Sequence, residues 1–206
     1  PQLLEPSNGP ERTSRPFIST TNGTSSVLFD PAGKSLFYQA VLAPEPQEQA
    51  GILRQSLEPG ALPSIVATNL ELNYVQPQCL LPKRGELAYV TRDREIAVME
   101  CSTGNILRTF PTREPNDRSG WFIANLRASP DETKFALVTP SGLGVEIRDV
   151  VSGKLLYALP DGTGSIWWLA WSPDSQRLAV TRANGEIGVW NLAEVEAQLG
   201  SLGLKP

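Results

Sequence analysis

The residues that most often do nucleophilic chemistry or hold a metal are scarce in this chain of 206 residues. It has no histidine and two cysteines, Cys79 and Cys101. Ser-His-Asp and Cys-His catalysis and His-ligated metal sites all need an imidazole, so the sequence excludes these chemistries. Two cysteines are too few for a disulfide scaffold, and their spacing matches no metal motif. Cysteine is usually an interior residue, so both are predicted to be buried thiols.

The carboxylates and glycines give no catalytic pattern either. Asp131 and Asp174 belong to Ser-Pro-Asp triplets, where the carboxylate is expected to cap a turn, and Asp149 ends a predicted strand. No carboxylate pair has a spacing that favours general acid/base work. The segments 141–144 and 161–164 read SGLG and DGTG, and neither matches a phosphate-binding loop. The sequence therefore predicts a protein that is not an enzyme and that needs no cofactor or metal.

Arginines and tryptophans are the candidates for binding a partner. Arginines placed in loops of one face would suit an acidic or phosphorylated peptide through bidentate guanidinium contacts, whereas the alternative is that they are ordinary solvated charges. The tryptophans at 121, 167 and 168 are predicted to open first strands, where core packing is favoured over recognition. The candidate partner-binding residues are Arg92, Arg94, Arg113, Arg118, Trp167 and Arg182.

Composition limits the partners further. The formal net charge of −4 and the pI of about 5.0 argue against a nucleic-acid or membrane-surface binder, which would need a basic face. The longest strongly apolar run, 166–171, is too short to span a bilayer, and the N-terminal segment lacks the apolar core of a signal peptide. A cytoplasmic location is expected. Because the first residue is Pro1, we expect an upstream domain, and a secreted or periplasmic location stays open.

A repeat organises the chain. Four prolines, spaced 51, 48 and 43 residues apart, are each followed five positions later by a large apolar residue. A second set of positions keeps the same phase, and its first three members have a glycine four residues later. The prolines are Pro31, Pro82, Pro130 and Pro173, and the second set is Ser56, Glu100, Asp149 and Asn191. Periods of about 40–50 residues are typical of propeller blades.

The stretch 165–192 shows the repeat most clearly. Three apolar runs are separated by a Ser-Pro-Asp turn and by Asn184-Gly185, which predicts a three-stranded antiparallel meander. It resembles a WD40 repeat, with Trp190-Asn191 standing where that family has Trp-Asp. The resemblance implies a β-propeller, usually of seven blades, that binds proteins. It is similar to degenerate bacterial arrays at the C-terminus of larger regulatory chains, such as Ser/Thr kinases or sigma factors. The family's histidine-containing hydrogen-bonded tetrad cannot form in this chain.

The expected fold is all-β, with about four four-stranded antiparallel blades that form a fragment of a larger ring. Residues 1–23 are a linker or an entering strand, with 17–20 strand-like. Residues 24–206 are the propeller segment. Its blades are 24–69, 70–112, 113–160 and 161–192, the third beginning with the loop 113–120, and a short C-terminal helix covers 192–199. Strands are predicted over 72–80 and 122–128, and the insert 43–50 is predicted to be a mobile loop.

The fourth repeat has only three predicted strands. Either 17–20 completes it and closes a four-bladed ring, or that strand belongs to a blade outside this sequence, which we favour. An open arc would expose strand edges and apolar faces, so the isolated chain is expected to self-associate or to be poorly soluble.

The expected function is a non-enzymatic protein-protein interaction or scaffolding module, the regulatory part of a larger protein, which binds a protein or peptide through its loop faces. The alternatives are part of a propeller enzyme or sensor whose active site lies in further blades, and a structural spacer.

Overall fold

The computed structural model describes residues 2–4, 14–16, 24–43, 49–70, 78–112, 125–139 and 141–204, and these residues form antiparallel sheets and one helix. A two-stranded sheet pairs β1 (Gln2–Leu4) with β2 (Ser14–Pro16). Four larger sheets, which we call sheets I to IV in chain order, follow it. The described part of the chain therefore confirms an all-β protein with a short helix near its end.

Each of the four sheets is a meander in which strands adjacent in sequence pair side by side. Sheet I contains β3 (Thr24–Phe29), β4 (Ser35–Ala43), β5 (Gln49–Ser56) and β6 (Ser64–Leu70). Sheet II contains β7 (Gln78–Leu81), β8 (Glu86–Val90), β9 (Glu95–Glu100) and β10 (Ile106–Pro111). Sheet III contains β11 (Leu126–Ala128), β12 (Lys134–Val138), β13 (Val145–Asp149) and β14 (Leu155–Leu159). Sheet IV contains β15 (Ile166–Trp171), β16 (Arg177–Arg182) and β17 (Ile187–Asn191), and the helix α1 (Leu192–Ser201) follows.

The sheets stack face to face, because their strands are apolar on both faces and one sheet cannot bury both. One core cluster joins sheets I and II, a second joins sheets II and III, and a third joins sheets III and IV. The first strands β3, β7, β11 and β15 lie next to one another in that order. We call the face that packs on the following sheet the forward face and the opposite one the backward face. This arrangement is compatible with a propeller-like fold.

At one end of the sheets, the turn end, the same hydrogen bond recurs in all four repeats. The amide that follows each third strand donates to the carbonyl three residues after the repeat proline. The pairs are Leu57 to Lys34 at 2.9 Å, Cys101 to Gly85 at 2.8 Å, Val150 to Thr133 at 3.0 Å and Leu192 to Gln176 at 2.8 Å. In every sheet, this hydrogen bond therefore links the turn that contains the repeat proline to the residue after the second repeat position.

The Ser-Pro-Asp turns cap themselves as predicted. The Ser129 hydroxyl donates to the Asp131 carboxylate at 2.5 Å, and Ser172 donates to Asp174 at the same distance. The next residue in each turn adopts a positive φ of 61°, which side chains other than glycine rarely take. In the third repeat that residue is Glu132, whose carboxylate accepts the Lys83 amide of the preceding sheet at 2.7 Å. The turn therefore also ties neighbouring sheets together.

The helix α1 packs against the core between sheets III and IV. It begins at the predicted cap, because the Asn191 side chain accepts the Glu194 amide at 3.4 Å, but it extends two residues beyond the predicted 199. Leu192 is buried in the core shared by sheets III and IV, and Val195 and Leu199 pack against it. Tyr157 of β14 donates to the Glu196 carboxylate at 2.9 Å, which fixes the helix to sheet III.

Some predicted boundaries need correction. The insert predicted as a loop over 43–50 is shorter, because Ala43 pairs with Gln49 and Val41 pairs with Ala50 as β4 and β5 continue into it. The strand predicted over 72–80 is described only from Gln78, and that predicted over 122–128 only from Leu126. The predicted strand at 17–20 lies outside the described residues.

Candidate partner-binding surface

The hairpins between second and third strands meet the connections between sheets at the other end of the stack, which we call the loop end. In sheet II, the Thr112 amide donates to the Arg94 carbonyl at 3.1 Å. Between sheets III and IV, the Ile166 amide donates to the Gly142 carbonyl and the Ala183 amide to the Ser165 carbonyl, both at 2.8 Å. These bonds place the two loop classes on the same end, as the WD40 resemblance implies.

Trp167 is the most exposed aromatic side chain of the described residues at this end. The pairing of β15 with β16 shifts register between Ile166 and Trp168, so Trp167 occupies a β-bulge. A bulge leaves one residue without a partner and can turn its side chain away from the core. The Trp167 side chain is 68% exposed, while its carbonyl accepts the buried Asn125 side-chain amide at 2.8 Å. Its backbone is therefore anchored and its indole is free to contact a partner.

Arg127 and Trp168 form a cation–π pair beside this tryptophan. The guanidinium carbon of Arg127 lies 4.3 Å from the centre of the Trp168 ring, and Trp168 is 43% exposed. Arg127 comes from β11, the first strand of sheet III, and Trp168 from β15, the first strand of sheet IV. The pair exists because two neighbouring first strands lie side by side.

The charge of Arg127 lacks a compensating carboxylate among the described residues. Its Nη2 atom is buried and makes no hydrogen bond, and none of the described ion pairs includes it. Burial lowers the pKa of the guanidinium from its ordinary value. A partly desolvated cation without a counter-charge attracts anions strongly, since the low local dielectric weakens screening.

The predicted arginines take different positions. Arg92 is exposed in the β8–β9 hairpin, whereas Arg94 is partly buried in the same turn with a φ of 63°. Arg182 is partly buried and its side chain is bound to two loops, because its Nη1 donates to the Leu143 carbonyl at 2.8 Å and to the Gly164 carbonyl at 3.0 Å. Arg113 and Arg118 lie outside the described residues. The partner-binding role of these arginines stays a prediction, with Arg92 the one most open to solvent.

The expectation that Trp167 packs in the core is wrong, because the bulge places its indole in solvent. Trp121 lies outside the described residues. The sequence reasoning also missed Arg127, which lies in the short strand β11 just before the Ser-Pro-Asp turn of the third repeat. No local sequence pattern marks Arg127 for binding, because its stacking partner Trp168 is distant along the chain.

The two cysteines and Asp149 take the positions that the sequence predicts. Cys79 and Cys101 are both buried free thiols, as expected, and burial raises the pKa of Cys79 to about 12 and that of Cys101 to about 11. Asp149 caps its turn by accepting the Ser152 amide at 2.6 Å. Hydrogen bonds from Ser152 and Val151 lower the pKa of Asp149 in spite of burial, which raises it. Among the described residues, no group of cysteines and carboxylates could hold a metal ion.

Comparison with protein-family models finds no match, and comparison with curated proteins finds no similar sequence. Within the described part of the chain, no helix has both the length and the apolar character needed to cross a membrane.

Proposed function

We propose that this chain is a WD40-like, propeller-type interaction or scaffolding module, the regulatory part of a larger protein, which binds a protein partner at its loop end. The stack of three four-stranded sheets and one three-stranded sheet, the repeat period and the recurrent turn-end hydrogen bond support the propeller. The exposed Trp167 beside the Arg127–Trp168 pair carries the functional part of the proposal. Aromatic and arginine side chains of this kind supply most of the binding free energy in protein interfaces.

The chemistry of the loop end favours an acidic peptide. Arg127 has no described counter-charge and stacks on Trp168, next to the exposed indole of Trp167, while Arg92 is exposed in the loop-end hairpin of sheet II. A carboxylate could pair with a guanidinium through charge-assisted hydrogen bonds, while an apolar side chain of the same peptide packs on Trp167. Because the chain as a whole has a net charge of −4, an acidic peptide is attracted only at this local cationic site and not by the rest of the surface.

The test is fluorescence anisotropy with two labelled probe peptides, one alternating glutamate with leucine and one alternating lysine with leucine. We expect the acidic probe to bind, with an affinity that falls as salt is raised, and the basic probe not to bind. Trp167→Ala and Arg92→Ala should each weaken the acidic probe about tenfold, as loss of about 1.4 kcal/mol does.

The matched controls are exposed residues at the turn end. Phe29→Ala removes a 57% exposed aromatic side chain, and Arg177→Ala removes an exposed arginine, so both should leave probe binding unchanged. Equal affinity for the acidic and basic probes, or equal losses in the control variants, would contradict a partner site at the loop end.

A further inference from the structure

Among the described residues, the outer edge of sheet IV at β17 is open for pairing with another strand. In sheets I to III a fourth strand pairs with the third, but in sheet IV no described strand pairs with the outer edge of β17. The Arg182 amide donates to the Glu186 carbonyl, and the Leu192 amide donates to the Gln176 carbonyl. Hydrogen-bonded pairs alternate along an antiparallel ladder, so the backbone groups of Ile187 and Val189 point away from β16, toward the open edge.

The sequence of β17 does not protect this edge. Natural sheets block their edges with lysine, proline or a bulge. The strand Ile187–Asn191 reads IGVWN, without charge or proline, and its pairing with β16 shows no register shift. An edge of this kind is a template for strand addition.

The forward face of sheet IV repeats a face that is buried elsewhere. In sheet III, Val145 and Ile147 of β13 are 2% and 0% exposed because sheet IV covers them. The corresponding residues of β17 are Ile187 and Val189, which pair with β16 as those residues pair with β12, and they are 70% and 65% exposed. These two side chains therefore form an apolar patch on β17 that no described residue covers.

The strand that completes a sheet has a recognisable chemistry. The fourth strands of sheets I to III each place apolar side chains on the forward face, where they join the core: Ala67 and Leu70, Phe110, and Tyr157 and Leu159 respectively. β17 meets the same requirement, because its own forward-face residues are Ile187 and Val189. A second copy of β17 can therefore serve as the missing fourth strand.

We propose that two copies of this chain associate through β17, each supplying the fourth strand of the other's sheet IV. The two strands pair antiparallel about a two-fold axis at Val189, which is the arrangement that makes one strand self-complementary. The two Val189 residues then exchange both backbone hydrogen bonds, and their side chains lie opposite each other on the forward face. The contact is separate from the loop end, so it does not depend on the proposed function.

Sedimentation velocity over a concentration series tests the association in solution. We expect a monomer–dimer equilibrium, with a dissociation constant that rises at least tenfold in Val189→Lys. Val189 is 65% exposed, so the substitution leaves the core intact, and circular dichroism checks that the variant folds. The matched control is Ile65→Lys on β6 of sheet I, where the side chain is 57% exposed and the strand does not pair with β17, so the dimer should persist.

Disulfide trapping tests the geometry independently of stability. Val189→Cys places two thiols directly opposite each other across the axis, so an oxidant should trap a covalent dimer. The natural cysteines are buried, and burial raises their pKa to about 12 and about 11, so they do not compete at pH 8. Ile65→Cys should be trapped at least tenfold more slowly.

Three results would overturn the proposal. The first is a chain that stays monomeric at every concentration, and the second is a dimer that survives Val189→Lys unchanged. The third is a Val189→Cys variant that forms covalent dimer no faster than Ile65→Cys, since an association through another surface would give that outcome.

Discussion

The contact between sheets III and IV predicts a large loss of stability in Leu178→Ala. Leu178 lies on β16, is fully buried, and belongs to the core cluster that joins the two sheets. The substitution removes three carbons from the side chain. Their transfer to water costs about 0.8 kcal/mol each, which gives about 2.4 kcal/mol.

The cavity adds to this cost. Leu178 belongs to a core cluster drawn from both sheets and from α1, which includes Ala136, Ile147 and Leu192, each of them buried. Neighbours held by three separate elements cannot all move inward to fill the space, so we expect a total loss of about 3–5 kcal/mol. Trp171→Ala should cost about 2–5 kcal/mol, although its indole is half-buried, because its Nε1 also donates to the Arg127 carbonyl at 3.3 Å.

Urea denaturation followed by tryptophan fluorescence measures these losses, with the slope of the transition compared between variants. Val189→Ala is the matched control, since it shortens an apolar side chain in the adjacent strand that is 65% exposed, and it should cost less than about 0.5 kcal/mol. A loss under about 0.5 kcal/mol in both Leu178→Ala and Trp171→Ala would refute the packing of sheet IV on sheet III.

Three further predictions concern the turns and the helix. Gly153→Ala should destabilise by about 2 kcal/mol or more, because a Cβ there would overlap the Phe110 ring and the φ is +69°. Gly142→Ala, with a φ of +74° and open space around it, should cost about 1 kcal/mol, and equal losses in urea denaturation would contradict the close contact at Gly153. Asp131 has a pKa below its ordinary value, because hydrogen bonds from Ser129 and Thr133 outweigh burial, which raises it. Because its pKa is lower in the folded state, ionised Asp131 stabilises the fold above about pH 4, and this stabilisation is lost as the pH falls below that. Asp131→Asn should therefore make the free energy of unfolding less dependent on pH in the acid range. Tyr157→Phe should cost about 1 kcal/mol and loosen the helix, because it removes the 2.9 Å hydrogen bond to Glu196; unchanged amide exchange in the helix would contradict this anchoring role.

The strands of the repeats could be predicted because their signals are local. Short apolar runs, Ser-Pro-Asp turns and Asn184-Gly185 each specify a few adjacent residues, and the structure confirms the hairpin with Gly185 at a φ of +84°. The helix could be predicted from Asn191 and the apolar spacing after it. The insert after β4 was misjudged because its polar, proline-rich composition hides the residues at its ends that continue the ladder.

The candidate site could be predicted only in part, since it depends on contacts distant in sequence. The bulge at Trp167 arises from the register between β15 and β16, which composition does not reveal. The stack of Arg127 on Trp168 requires two sheets to lie side by side, and these residues are far apart along the chain. The hydrogen bonds of Arg182 likewise join the end of β16 to two loops that it meets only in the folded chain.

The stacking of the sheets is tested most directly by methyl NOE spectroscopy on protein labelled at isoleucine, leucine, valine and alanine methyl groups. The core between sheets II and III predicts cross-peaks that join Val98 to methyl groups of Leu126 or Leu137, and the core between sheets III and IV predicts cross-peaks that join Ala136 or Ile147 to Leu178. Cross-peaks confined to residues within single sheets, with none between sheets, would contradict the stacked, propeller-like arrangement.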